Sequence, residues 1–188
     1  GLGQYSLLNN TTASNNTAVG MSALQENTTG TRNVALGANA LDANTVGGKN
    51  VALGMDALGT NVDGSRSVAV GDSALAAQEP ASAVDMYNTA VGHGAGAAVT
   101  TGIENTLIGG LAGDALTVGE YNIALGARAL SGDTQGSQNI AIGAYTLTTQ
   151  NFTTATASHN VAVGTNAGRY VTTGIQNTLI GGLAGDAL

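Results

Sequence analysis

Residues 33–37, "NVALG", alternate large, small and large apolar side chains between an amide and a glycine. The alternation recurs along the whole chain. It opens at Asn16, Asn33, Asn50, Ser67, Asn88, Asn105, Asn122, Asn139, Asn160 and Asn177, and closes on Gly20, Gly37, Gly54, Gly71, Gly92, Gly109, Gly126, Gly143, Gly164 and Gly181. Successive openings are 17, 17, 17, 21, 17, 17, 17, 21 and 17 residues apart. The larger period is 72 residues, so residues 101–116 return as residues 173–188 with one change, Glu104 to Gln176. The superrepeats are 16–87 and 88–159, and a third begins at 160.

A two-residue period sends Val34 and Leu36 to one side of a strand and Ala35 to the other. Asn33 and Gly37 tolerate turn conformations and bracket the strand. Seven residues after the Asn comes Ala, as at Ala23 and Ala40, and next Leu, as at Leu24 and Leu41; that segment can form a second short strand or a bend. Four units replace this Leu with Gly96, Gly113, Gly168 or Gly185. Three of them carry Val99, Leu116 or Val171 where ordinary units hold Asn27, Asn44, Asn61 or Asp133. The expectation is that one core slot is filled through a different turn.

Seventeen residues cannot hold a helical repeat, which needs about 30 or more. One unit alone buries too little, but stacked units share a core. The expected fold is all-β: a parallel β-roll or β-solenoid of 17-residue rungs, 21 in every fourth, over the single repetitive segment 1–188. About eleven rungs, counting partial ones, at about 4.8 Å each make a rod roughly 50 Å long. The extra residues should bulge outward as loops 76–87 and 148–159. Ala18, Ala35, Ala52, Ala69, Ala90, Ala124, Ala141 and Ala162 are expected to form a small-residue outer face, across which three rods could associate.

Composition narrows the class. Only 9% of residues are charged and 3% aromatic, which suits narrow regular layers better than a compact enzyme core. Gly (29 residues) lacks a three-residue period and Pro occurs once, which excludes collagen. A net charge of −7 disfavours nucleic-acid binding and gives no anchor for an anionic membrane. Without Cys there are no disulfides or thiolate metal sites. No apolar run approaches a membrane span. The chain opens at "GLGQYSLL" and stops at "GGLAGDAL" in mid-pattern, so it is read as an internal piece of a longer fibrous protein.

The unit at residues 16–37, "NTAVGMSALQENTTGTRNVALG", resembles repeats of bacteriophage tail fibres. It is also similar, less closely, to the head repeats of trimeric autotransporter adhesins of the YadA type. The Asn-x-Ala-x-Gly signature carries the likeness over essentially the whole chain; the 17- and 21-residue steps are longer than the adhesin repeat. The resemblance implies a left-handed parallel β-roll, three chains side by side, in a virion or extracellular protein that binds surfaces or carries a binding tip.

Candidate chemistry is sparse. His93 and His159 occupy different places in the unit and sit near no nucleophile elbow, and the acidic residues are scattered over turns, so no enzyme is expected. Asp114 and Asp186 read as turn caps rather than calcium ligands, and "GGLAGDAL" lacks the lysine of a phosphate loop, so no metal or cofactor is expected. An ion on a trimer axis stays open. Asn10, Asn27 and Asn151 begin glycosylation sequons that matter only in a glycosylating host. Tyr5, Tyr87, Tyr121, Tyr145 and Tyr170 could stack on sugars. Any binding would fall to the excess loops: Glu79, Pro80, Asp85, Met86 and Tyr87 in one, Asn151, Phe152 and His159 in the other.

The function expected is the shaft or stalk of a viral tail fibre or surface adhesin, holding a receptor-binding module. Its partners would be itself, as a homotrimer, and other fibre or virion proteins, with no nucleic acid and no membrane insertion. Its place would be the virion tail, or the bacterial or extracellular surface. The alternatives are that this segment itself binds a host glycan or receptor, or that it is a subunit of a free filament.

Overall fold

The computed structural model describes residues 1–186; the last two residues of the repeated stretch, Ala187 and Leu188, lie outside them. Among the described residues none is helical. The strands are β1 (Thr17–Val19), β2 (Val34–Leu36), β3 (Val51–Leu53), β4 (Val68–Val70), β5 (Thr89–Val91), β6 (Thr106–Ile108), β7 (Ile123–Leu125), β8 (Gly136–Ser137), β9 (Ile140–Ile142), β10 (Thr156–Ala157), β11 (Val161–Val163) and β12 (Thr178–Ile180). Ten of them form one sheet in the order β1-β2-β3-β4-β5-β6-β7-β9-β11-β12, and β8 pairs with β10. All these pairings are parallel. Val34 lies beside Val51 and Ala35 beside Ala52, so each rung repeats the previous one in register. The 21-residue rungs keep that register, with Val68 beside Thr89. The fold is a parallel β-solenoid of 17-residue rungs.

The sides of the strand are opposite to expectation. The central Ala is the core residue: Ala35, Ala52, Ala69, Ala90, Ala124, Ala141 and Ala162 are fully buried, and Ala18 nearly so. The flanking residues face outward, with Val34 36% and Leu36 49% exposed. The reason is room. The opposite wall of each ordinary rung already sends in a fully buried Ala–Leu pair, such as Ala40 and Leu41. Between walls this close, one leucine faces one methyl group.

That opposite wall is made of turns rather than a second strand. Ser22 and Leu24 take left-handed φ values of 56° and 52°. Their N–H groups still bond from rung to rung: Ser22 back to the Gln4 carbonyl (2.8 Å) and Leu24 forward to the Ala40 carbonyl (3.0 Å). Alternating backbone handedness thus extends a ladder through residues that are not strand, which satisfies buried polar groups. The glycine closing each strand has no substitute. At Gly109, φ is 134°, and a Cβ would lie 2.5 Å from the carbonyl carbon and oxygen of Gly126 on the next rung.

The opening Asn is more than a turn residue. Asn50 is fully buried. Its Nδ2 donates to the Gly64 carbonyl (2.8 Å), closing its own rung, and its Oδ1 accepts the Ser67 N–H (2.9 Å) on the next. A second amide ladder runs inside the rod: Asn44 donates to Asn27 (2.8 Å) and Gln78 to Asn61 (2.9 Å). Gln78 also accepts from Asn88 (3.0 Å), joining the two ladders where the long rung begins. Gln150, one superrepeat on, repeats the junction by donating to Asp133 (2.6 Å) and accepting from Asn160 (2.7 Å).

In the rungs that follow each junction the second ladder gives way to hydrocarbon. Val99, Leu116 and Val171 are buried in the expected slot. The backbone turn, however, does not change: Gly96, Gly113 and Gly168 have φ of 60°, 57° and 61°, close to Leu24 and Leu41 at 52°. Only the source of the side chain moves. Leu107 supplies the remaining volume from the strand, where the other rungs, apart from that of Leu179, have Ala.

Candidate functional site

The two long-rung loops lie one superrepeat, and so four rungs or roughly 19 Å, apart on one side of the rod. Each turns its largest apolar side chain inward instead of bulging freely. Met86 is fully buried over Gly64, where a Cβ would lie 3.1 Å from its Cγ, and Pro80 is also buried. Phe152 is 7% exposed; its N–H donates to Asp133 (3.1 Å). These three residues cannot meet a partner as they stand. The loops close by rejoining the ladder, through the parallel bridge Ser65 to Asp85 and through β8–β10. An apolar side chain in a loop this short has core within reach, which offsets the ordering cost of the extra residues.

What the first loop exposes is Asp85, Tyr87 and the tip 81–83. The carboxylate of Asp85 pairs with Arg66 (2.8 Å) and accepts from the Tyr87 hydroxyl (3.3 Å), while the Arg66 guanidinium lies 5.5 Å from the Tyr87 ring centre. Glu79 is held at the loop base, where its Oε2 accepts the Val62 N–H at 2.6 Å. In the second loop Asn151 and His159 are exposed, and Asn151 Oδ1 lies 2.9 Å from the Thr134 hydroxyl. The structure therefore divides the candidates into exposed groups (Asp85, Tyr87, Asn151, His159) and structural ones (Glu79, Pro80, Met86, Phe152).

All five tyrosines are exposed. Arg169 lies 5.8 Å from the Tyr145 ring and 5.3 Å from the Tyr170 ring, holding both rings by cation–π contact. His93 is exposed and 3.1 Å from Asp72. Asp114 is half-buried, with Oδ1 unpartnered, and desolvation pushes its carboxyl up. Asp186 Oδ1 is likewise buried without a partner.

Sequence reasoning missed one acidic pairing. Asp42 and Asp56 occupy different places in the unit, yet they line one cleft of about 410 Å³ on adjacent rungs, together with Gly59 and Thr60. Asn39 donates to Asp56 (3.0 Å). Burial pushes the Asp42 carboxyl up, and the charges of Asp56 and Glu26 add to it. Folding the 17-residue period onto the turn would have revealed the proximity, because positions six and nine of successive rungs face each other there. Among the described residues no group of three or more acidic or histidine side chains is placed to hold a metal ion, and no helix is long and apolar enough to cross a membrane.

Comparison with protein-family models, with curated proteins and with solved structures gives no match. The geometry itself is the finding: a repetitive β rod with one apolar outer face and two structurally equivalent loops.

Proposed function

We propose that this chain is a shaft segment of an extracellular or virion fibre, a tail fibre or adhesin stalk, that works as a bundle of three copies and holds a binding module at a distance. The observation that carries this reading is the outer sheet face. Val34, Leu36, Ile123 and Leu125 are 36–49% exposed, and every rung sets two apolar or threonine side chains there. A continuous apolar strip of this kind marks an interaction surface. A partner following it over ten strands needs the same rise per rung, and a second copy of the chain has it. This face, rather than the alanine face, is the one that association would cover. Closed threefold packing covers one such strip on every chain.

Light scattering on the purified chain should report three copies. Leu36→Glu with Ile123→Glu should yield monomers that keep their β spectrum. A wild-type monomer would overturn the bundled reading.

A second reading has its own support. The exposed groups Asp85 and Tyr87, and Asn151 and His159, recur on one side of the rod. On this reading the segment itself binds a surface glycan or receptor. Replacing those four residues with Ala should abolish cell binding and leave the rod intact; unchanged binding would remove this reading.

A further inference from the structure

Each opening Asn is preceded by an exposed residue with a left-handed backbone, and the rungs stack these residues into a column. The column includes Arg32, Lys49, Arg66 and Tyr87, with φ of 62°, 62°, 63° and 52°. Direct bonds fix its register: the Lys49 N–H donates to the Thr31 carbonyl (2.9 Å), and the Arg66 N–H to the Gly48 carbonyl (3.0 Å). Three of the five basic residues of an acidic protein thus stand in consecutive rungs, about 4.8 Å apart along the axis. Glu104, one rung beyond Tyr87, ends the run of positive charge.

Two features show that the fold does not require the side chains of Arg32 and Lys49. Left-handed φ is the conformation glycine adopts most cheaply, and this chain has 29 glycines. Yet all ten residues of the column, from Asn15 to Gln176, carry a side chain. Moreover, like charges stacked one rung apart repel. Of these three cations only Arg66 has a carboxylate partner, Asp85, among the described residues; Arg32 and Lys49 form no ion pair there.

We infer that Arg32, Lys49 and Arg66, with the half-exposed ring of Tyr87, form a track that binds an acidic polysaccharide laid along the rod axis. A line of carboxylates would relieve the repulsion and accept charge-assisted hydrogen bonds from Arg32 and Lys49, beside the Arg66–Asp85 pair. In an extended chain of β-1,4-linked uronic acids each sugar is turned about half a revolution from the last, so alternate carboxylates face the column, about two rungs apart, within reach of the long Arg and Lys side chains. The Tyr87 ring offers a flat face to a sugar at the end of the track. A nucleic-acid strand fits less well, because it carries a phosphate charge on every residue and the column offers three cations. The overall charge of −7 also opposes so dense a polyanion. This track lies outside the loop candidates except at Tyr87, and does not depend on the number of chains in the fibre.

Calorimetric titration of the rod as purified, with short oligomannuronates at low salt, tests the inference. Binding should appear, weaken with added salt, and be absent for neutral mannan oligomers of the same length. Arg32→Gly with Lys49→Gly should lower affinity at least tenfold while the melting temperature stays level or rises. Lys49→Arg should keep the affinity. No uronate binding, equal binding by the double-glycine variant, or tighter binding of single-stranded DNA of matched charge would each overturn it.

Discussion

Leu107 is the wedge that lets two neighbouring rungs do without their usual core leucine. It is fully buried, and a Cβ on Gly96 would sit 2.7 Å from its Cδ1, with one on Gly113 2.8 Å from its Cδ2. Leu107→Ala empties that volume between two residues that have no side chain with which to collapse into it. Buried Leu→Ala changes cost about 2–5 kcal/mol, and poor collapse places this one in the upper half of the range. Gly96→Ala alone should also destabilise. It sets a methyl group on a left-handed residue, at about 1–2 kcal/mol, and overpacks it against Leu107, at about 1–3 kcal/mol. Combined, the two changes should cost less than their sum, because the new methyl enters the space the leucine left. A coupling of about 1–3 kcal/mol is expected.

Urea unfolding of the four proteins, followed by circular dichroism, measures that coupling. Hydrogen exchange at the Gly96 and Gly113 amides, which bond to the Ala112 and Ala129 carbonyls (both 2.9 Å), locates it. In a stacked array the loss should appear first as local opening of these rungs. Additive effects, or a cost below about 1 kcal/mol for Leu107→Ala, would refute the exchange of core volume between strand and turn.

Gly109→Val should cost at least about 3 kcal/mol, since left-handed strain and overlap with the Gly126 peptide act together; an unchanged thermal melt would contradict the crowded turn. Asn50→Ala leaves the buried Ser67 N–H unpaired, at about 1–3 kcal/mol, and leaves the Gly64 carbonyl with Asn61 as its remaining donor. Asn50→Asp keeps the acceptor and should fall between Ala and wild type in urea midpoint; equal losses for the two would contradict the two-sided role of the amide. Asp42 holds its proton above the ordinary value of 3.8, because burial, with Asp56 and Glu26, disfavours its charge. Its ionisation therefore weakens the folded state, a contribution absent below 3.8 and incurred as pH rises through the folded value. Asp42→Asn should raise the melting temperature at pH 7, and the gain should vanish below 3.8; a gain independent of pH would refute this assignment.

The period, the parallel stacking and the core leucines were legible in the residues, because a 17-residue recurrence of Asn and Gly leaves few alternatives. Which strand face is inside was not. Alternation has two solutions, and a strand reading "VAL" normally buries its large residues. Here the leucine of the turn, Leu41, had already claimed the interior, a fact that lies outside the strand's own pattern. The left-handed column before each Asn was hidden because Arg, Lys and Tyr hold positions where glycine would have signalled the conformation. Its ligand track follows from stacking alone: Arg32, Lys49 and Arg66 are far apart in the chain and adjacent only once the rungs are in register. The inward turn of Met86 and Phe152 was equally invisible, since a loop sequence does not show how near the core lies.

The most direct test of the stacked rungs is a pair of cysteines at Val34 and Val51, which register as neighbours in adjacent parallel strands. Paired strands stand about 4.8 Å apart, within the 4.4–6.8 Å that a disulfide spans between Cα atoms. Oxidation should give a looped single chain on a non-reducing gel, and Val34→Cys with Val68→Cys, two rungs apart, should not. Free thiols in the first pair, or efficient bridging in the second, would contradict the 17-residue rung.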